Sequence, residues 1–216
     1  MGRLAVRTVA ELARGWVLAP ERYDPAVRLE GERRLGDLVR VDVPARRPAE
    51  LPTGPLLVLE TGHAADGFVF PPATLSTAAA CQSSKRTLQP GDVLVSRLRP
   101  YLRQVAWVDP ALFELAPGGN AVVASPELLV LRAPDGFDGA CLVPWLLSPA
   151  VQQVLVAAQE GGHHPRVPTE ALLALGVPGS VLRSGAAVGT KWRAATADLR
   201  RALATAAALV DRASAG

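Results

Sequence analysis

The sequence predicts an α/β fold: a curled mixed sheet with flanking helices, followed by a long C-terminal helix. Three observations predict it. Up to Asp138, short apolar runs of strand length alternate with connections rich in Gly, Pro and Asp. After Asp138 the periodicity becomes helical. From Ser184 to Ala213, apolar residues recur at alternating steps of three and four.

Taken in order, Val9 to Ala19 forms a short helix with Leu12, Trp16 and Val17 on its apolar side, ended by Pro20. Arg22-Tyr23-Asp24-Pro25 is a turn. Arg34 to Val41 enters a strand. Pro44 to Pro55 contains four prolines and forms a surface loop. Leu56 to Glu60 is a continuous apolar run, as expected of a strand buried on both faces. Further strands are Gly67 to Phe70, Val93 to Leu98, Val105 to Val108, Ala121 to Ala124 and Leu128 to Arg132.

Ser148-Pro149 is an N-cap followed by proline at the first helical position, and it opens a helix to Gln159 that stops at Gly161-Gly162. A short helix begins at Pro168-Thr169-Glu170 and ends near Gly176. The terminal helix carries a heptad seam of Trp192, Ala195, Leu199, Ala202, Ala206, Leu209 and Ala213. Trp192, Leu199, Leu203, Ala206 and Leu209 are its interface candidates, with Trp192 as the anchor. The competing role is an ordinary amphipathic helix lying on its own domain.

Bulk composition narrows the class. With 49% hydrophobic residues in 216, the chain is long and apolar enough for a full core. No run of about 18 apolar residues is present, so no membrane span is expected. The first residues lack the apolar region of a secretion signal. Cys81 and Cys141 are far apart and show no ligand spacing, which fits a reduced, cytoplasmic protein without structural zinc. Lys85 and Lys191 are the only lysines among 23 basic residues, so arginine richness alone says little about partners.

Its clustering says more. From Cys81 to Gln104, Lys85, Arg86, Arg97, Arg99 and Arg103 stand against Asp92 alone, a net +4 where the whole chain carries +3. Such a concentration is the footprint of a nucleic-acid surface. Arg97, Arg99 and Arg103 end the strand that begins at Val93. Arginine bonds a phosphate bidentately, or guanine O6 and N7 in the major groove. Their competing role is ion pairing with acids such as Asp92 or Asp109. Gln82, Ser83, Ser84, Lys85 and Arg86 form a polar run expected in an exposed loop or helix end, where Gln reads adenine and Lys and Arg hold phosphate. Tyr101 stacks on sugar or base, or packs beside Pro100. His163 and His164 are adjacent with no third ligand, a poor metal site. No cofactor-binding glycine loop, methyltransferase motif or nuclease cluster is visible, and neither an enzyme nor a cofactor is expected.

The order of motifs resembles the target-recognition module of type I restriction–modification specificity subunits. The resemblance runs over roughly residues 35 to 213. It rests on Leu35-Gly36-Asp37-Leu38-Val39, Leu88 to Tyr101, Glu127 to Arg132, Leu146 to Gln152, Gly161 to Pro168 and the terminal helix. Each motif alone is weak; their order and spacing carry the match. The resemblance implies an N-terminal extension (1–34), a recognition domain (35–180) and a spacer helix (181–216). It implies a non-catalytic DNA reader of one half-site, working with methyltransferase subunits in a modification or phage-defence system. It makes the loop from Gly161 a turn that sets Arg166 close to DNA or to the domain core; His164 and Arg166 join Gln82, Ser84, Lys85, Arg86, Arg97, Arg99, Tyr101 and Arg103 as DNA-contact candidates.

Two departures accompany the resemblance. The chain has length for one module and one spacer helix where a full subunit usually has two of each. The helix entry is replaced by Val177 to Ser184. Two copies joined through their terminal helices would rebuild a two-module reader with twofold symmetry. The rival expectation is a protein-interaction adaptor of the same fold that has lost DNA readout.

Overall fold

A computed structural model describes Thr8, residues 29–41, 43–116 and 122–214. The helix expected at Val9–Ala19 and the turn at Arg22–Pro25 lie outside the described residues. In chain order the strands are β1 (Arg33–Arg34), β2 (Ala45–Arg46), β3 (Pro55–Leu59), β4 (Ala64–Ala65), β5 (Phe68–Val69), β6 (Ser76–Thr77), β7 (Lys85–Thr87), β8 (Val93–Ser96), β9 (Val105–Trp107), β10 (Val122–Ala124), β11 (Leu128–Leu131) and β12 (Gly176–Val177). The helices are α1 (Leu142–Leu146), α2 (Pro149–Ala157), α3 (Thr169–Leu173), α4 (Gly179–Arg183) and α5 (Gly185–Ser214). Among the described residues no single helix is long and apolar enough to cross a membrane.

The central layer is a three-stranded antiparallel sheet ordered β11-β8-β9. Side chains alternate between its faces with period two. Val93, Val95, Val105, Trp107, Leu129 and Leu131 enter one core with α1, α2 and the turn at Leu35–Val39. Leu94, Ala106, Leu128 and Val130 enter a second core with β3 and β10. Both faces are covered, so these strands read as continuous apolar runs rather than alternating ones. The second core is closed by a mixed sheet ordered β2-β7-β10-β3-β6, in which β10 and β3 run parallel and the other pairs antiparallel.

Two expectations change. Arg34–Val41 is not a strand entry: Leu35–Asp37 is a 3-10 turn, and within it the Asp37 carboxylate accepts from the Arg34 amide at 3.3 Å. Strand pairing in this stretch is limited to Arg34, which ends β1 opposite Gly176, and to Arg40, which bridges to Arg132. The polar run Gln82–Arg86 is not all exposed loop. Lys85 and Arg86 belong to β7, where Lys85 is 5% exposed and its Nζ lies 3.1 Å from Glu60. A lysine is rarely buried unless paired, and this carboxylate across the sheet is what allows it.

The terminal helix α5 divides in two. Its first half lies on the domain. Gly185, Gly189 and Thr196 are buried on that face, and Val188 and Trp192 pack against the first core. Residues 201–210 are exposed on every face. The expected seam therefore holds at Trp192 and slips by one residue next to it: Thr196 is buried and Ala195 exposed. The covered residues Gly185, Gly189, Trp192, Thr196 and Leu199 alternate steps of four and three, the same period in the opposite phase to the expected seam.

Candidate nucleic-acid interface

The arginine-tipped strand is β8, and it leads into a tight turn before β9. Ser96 starts the turn. Its hydroxyl accepts from the Leu98 amide at 3.1 Å and donates to the Leu98 carbonyl at 3.0 Å. Arg99 and Arg103 bracket a 3-10 turn at Pro100–Leu102, and both adopt left-handed backbone conformations, φ 46° and 54°. Non-glycine residues seldom do so, and such strain concentrates where function demands a fixed shape. Pro100 is buried. Tyr101 is 64% exposed and Leu102 45%. Tyr101 thus projects into solvent, although packing beside Pro100 is the commoner fate of such a residue.

The three arginines of this segment have different surroundings. The Arg97 backbone is built into the fold: its amide donates to the Glu127 carbonyl and its carbonyl accepts from the Val167 amide, both at 2.9 Å. Its Nε lies 3.3 Å from the Val167 carbonyl. Arg99 is exposed and has no side-chain partner among the described residues. Arg103 is engaged: its Nε donates to Asp66 at 2.7 Å and its Nη1 to the Leu147 carbonyl at 2.9 Å. The ion pairing expected as the competing role does occur, but with other acids than those named. Asp92 holds Arg132 at 2.8 Å, and Asp109 holds Arg200.

Asp66 is the acid that composition did not single out. It too has a left-handed backbone (φ 46°), and its amide donates to the Arg103 carbonyl at 3.2 Å. It turns the hairpin β4–β5 with Gly67, whose amide donates to the Val105 carbonyl at 2.8 Å. An Asp-Gly pair between two short strands is a hairpin signal, and that signal was available in Asp66-Gly67.

The loop after α2 joins the same edge. Arg166 forms β-bridges with both Leu98 and Glu160. Its guanidinium grips Glu127 with three contacts of 2.7 to 3.1 Å. The hydrogen bonds from Arg166 hold the Glu127 carboxyl below the usual carboxylate range, against the opposing effect of burial; the charges of Arg166 and Arg97 add to the lowering. Glu127 in turn raises Arg166. Arg86, across β10, has its guanidinium pKa lowered by burial and then by the like charge of Arg97. Arg86 donates Nη1 to the Val43 carbonyl, while its buried Nε has no partner. His164 is exposed, its ring edge-on to His163 at 4.7 Å. Among the described residues no three His, Cys, Asp or Glu side chains converge as a metal site would need.

The structure therefore brings Arg97, Arg99, Tyr101 and Arg103 on one segment beside Arg166 on another, joined by the Leu98–Arg166 bridge, with Arg86 close enough for its charge to be felt at Arg97. Gln82 is exposed and lines a different groove of about 320 Å³ with Glu60, Ser76 and Lys85. Lys85 points into that groove's ion pair and is not free for phosphate. Arg103 and Arg166 already have carboxylate partners. Arg99 is the exposed cation of the turn without a side-chain partner among the described residues. The thiol of Cys141 is pushed up to about 11, by burial first and by Asp138 second. It stays protonated at neutral pH and packs within the first core.

Trp192 is a correction. Its ring stacks on Phe68 of β5 with centroids 5.3 Å apart and planes 16° apart. Gly67 (φ 95°) makes room for it, since a Cβ there would lie 2.1 Å from the indole. Trp192 anchors α5 to its own domain rather than to another helix. Leu203 and Leu209 are 46% and 60% exposed, and Leu199 is half-buried at the boundary.

No family model and no curated protein matches the sequence. Solved structures match the architecture, two among them as follows. One, described as the structural basis of complex assembly and conformational transition of the type I restriction–modification system, gives a TM-score of 0.57 at 22% identity. The other, an HsdS subunit from Thermoanaerobacter tengcongensis, gives 0.53 at 21%. The chain has the fold of an HsdS subunit. Each match covers 80% of this chain and 44% of the other, so the chain spans less than half the length of the HsdS structure it matches.

Proposed function

We propose that this chain is a non-catalytic target-recognition module of a type I restriction–modification specificity subunit, binding double-stranded DNA over one half-site. One observation carries the reading. On an HsdS-type fold, the β8–β9 turn presents an exposed arginine without a side-chain partner, Arg99, beside an exposed aromatic, Tyr101. An arginine beside a projecting ring suits a polyanion that also offers flat bases. Methylation or cleavage would come from partner subunits, methyltransferase among them, docked on the module. The binding assay measures affinity for mixed duplexes at two salt concentrations. Wild type binds at low salt and weakens steeply as salt rises, and Arg99→Ala lowers the slope of log K against log salt by about 1 if Arg99 holds a phosphate. Absence of binding at low salt, with and without partner subunits, overturns the reading.

Two copies would pair through the outer half of α5. From Ala202 to Val210 that half carries one polar residue, Thr205, yet all of it is exposed. It spans about 14 Å of helix, at ~1.5 Å per residue, and an exposed apolar face of that length suits an interaction site. Sedimentation velocity would show self-association that rises with concentration and is lost in Leu203→Glu. A monomer at every concentration refutes the pairing.

A second reading has its own support. Lys85, Arg103, Arg132, Arg166, Arg193 and Arg200 are all held by acids of the same chain. An adaptor that keeps the fold and acts through α5 would show that economy of free charge. It would self-associate or bind a partner helix and bind no DNA.

A further inference from the structure

The residues with left-handed backbone outside glycine, among those described, are Asp66, Arg99 and Arg103. Asp66 and Arg103 share one contact, and Arg99 begins the turn that Arg103 ends. Asp66 meets Arg103 twice, through the 2.7 Å ion pair and through the 3.2 Å backbone hydrogen bond. Arg103 then closes the turn whose other end is Arg99, its amide donating to the Pro100 carbonyl at 2.8 Å. Behind Asp66, Gly67 and Phe68 rest on Trp192 of α5. The Leu147 carbonyl holds Arg103 from α1's end.

From this geometry we infer that Asp66 and Arg103 are positioning residues. Together they form a latch that fixes the turn Arg99–Leu102 in the shape that meets the duplex. The inference rests on the DNA-reading function proposed above and assigns roles within it. Arg99 and Tyr101 touch DNA; Arg103 does not. Its Nε is committed to Asp66, its Nη1 to the Leu147 carbonyl and its amide to the Pro100 carbonyl. The latch works through entropy. A turn held in one conformation loses little freedom on binding, and fixed geometry improves discrimination more than raw attraction does.

The opposite assignment makes the opposite prediction. If Arg103 were a DNA contact, Asp66 would compete with the phosphate for it, and removing Asp66 would release a cation to the duplex. The test compares wild type, Asp66→Asn and Arg99→Ala on two duplexes: one selected from a random pool by the wild-type protein, and one of scrambled sequence. Asn tolerates the left-handed backbone, so Asp66→Asn removes the ion pair without imposing new strain, and circular dichroism checks that it folds. Loss of a negative charge raises affinity for both duplexes alike, so the ratio of the two affinities is the quantity read.

A working latch makes that ratio fall by about tenfold in Asp66→Asn, with the salt slope unchanged. Amide exchange at Leu102 and Arg103 quickens in the same variant, while the amides of β8 stay protected. In Arg99→Ala the affinity for both duplexes falls. An unchanged ratio in Asp66→Asn overturns the latch and leaves the DNA-binding function standing. A rise in the salt slope by about 1 shows a newly engaged phosphate contact and also overturns it. Failure of the wild type to bind either duplex overturns the function and the latch together.

Discussion

The two halves of α5 share one helix and one composition, yet they have opposite surroundings. From Gly185 to Arg200 a stripe of residues is buried on the domain: Gly185, Gly189 and Thr196 fully, Val188, Trp192, Leu199 and Arg200 partly. From Arg201 to Val210 nothing is covered, although the apolar content is higher. The repeat states that a face needs a partner; it does not state which. The inner half finds its partner in the hairpin β4–β5 and in the turn Gly139–Cys141, where Cys141 Sγ would lie 3.4 Å from a Cβ at Gly185. The outer half is exposed from Arg201 to Val210. The small residues Gly185 and Gly189 are what let the inner half approach closely, and the outer half has no glycine.

The difference breaks most sharply at Trp192. Replacing Gly67 by alanine drives a methyl group into the indole at a backbone angle that alanine disfavours. Unfolding in urea should show a loss of about 3 kcal/mol, from overpacking and strain together. Trp192→Ala should cost roughly as much, about 3 kcal/mol, through the lost stack on Phe68 and the cavity behind it. Trp192→Phe should cost far less, because it also removes an indole N–H that is buried without a partner. Leu203→Ala, three turns further on, should stay within about 0.5 kcal/mol when measured at low protein concentration. If Leu203→Ala proves as costly as Trp192→Ala under those conditions, the outer half is packed in the monomer and the division of the helix is wrong.

That contrast also shows what the sequence conveys and what it withholds. Continuous apolar runs identify β3, β8, β9 and β11, because strands covered on both faces leave that mark. Ser148-Pro149 marks α2 because the cap is local chemistry; the Ser148 hydroxyl does accept from the Val151 amide, at 3.4 Å. Short polar β7 escapes, since a buried lysine is tolerated only through Glu60, a residue 25 positions earlier in the chain. The basic cluster is legible as a cluster. Its division into free and paired cations is not, because the partners Asp66, Glu127 and Asp109 lie 37, 39 and 91 positions from Arg103, Arg166 and Arg200. Ion pairs at that separation exist only once the fold has formed. The heptad seam is legible too, but its anchor faces inward because Gly67 leaves a ring-sized space that no helical periodicity encodes.

The boundary between the halves carries two charge pairs that should differ in the same sense, on a smaller scale. Arg200 reaches back to Asp109, which is 9% exposed and also caps the turn Pro110–Leu115 by accepting from the Ala111 amide at 3.0 Å. Arg201, one residue on, pairs with Asp198 along the helix surface, where both side chains are more than two-thirds exposed. Asp109→Asn keeps an oxygen for the cap and loses the ion pair. It should cost about 2 kcal/mol, since it leaves the half-buried Arg200 guanidinium without its carboxylate. Asp198→Asn should cost no more than about 0.5 kcal/mol, the usual worth of an exposed pair three residues apart on a helix. High salt should shrink the second effect and leave most of the first, because solvent screens the exposed pair and reaches the Asp109 carboxylate poorly. Equal costs for the two variants would mean that α5 is not held at Arg200, and that the docked half ends earlier, at Thr196.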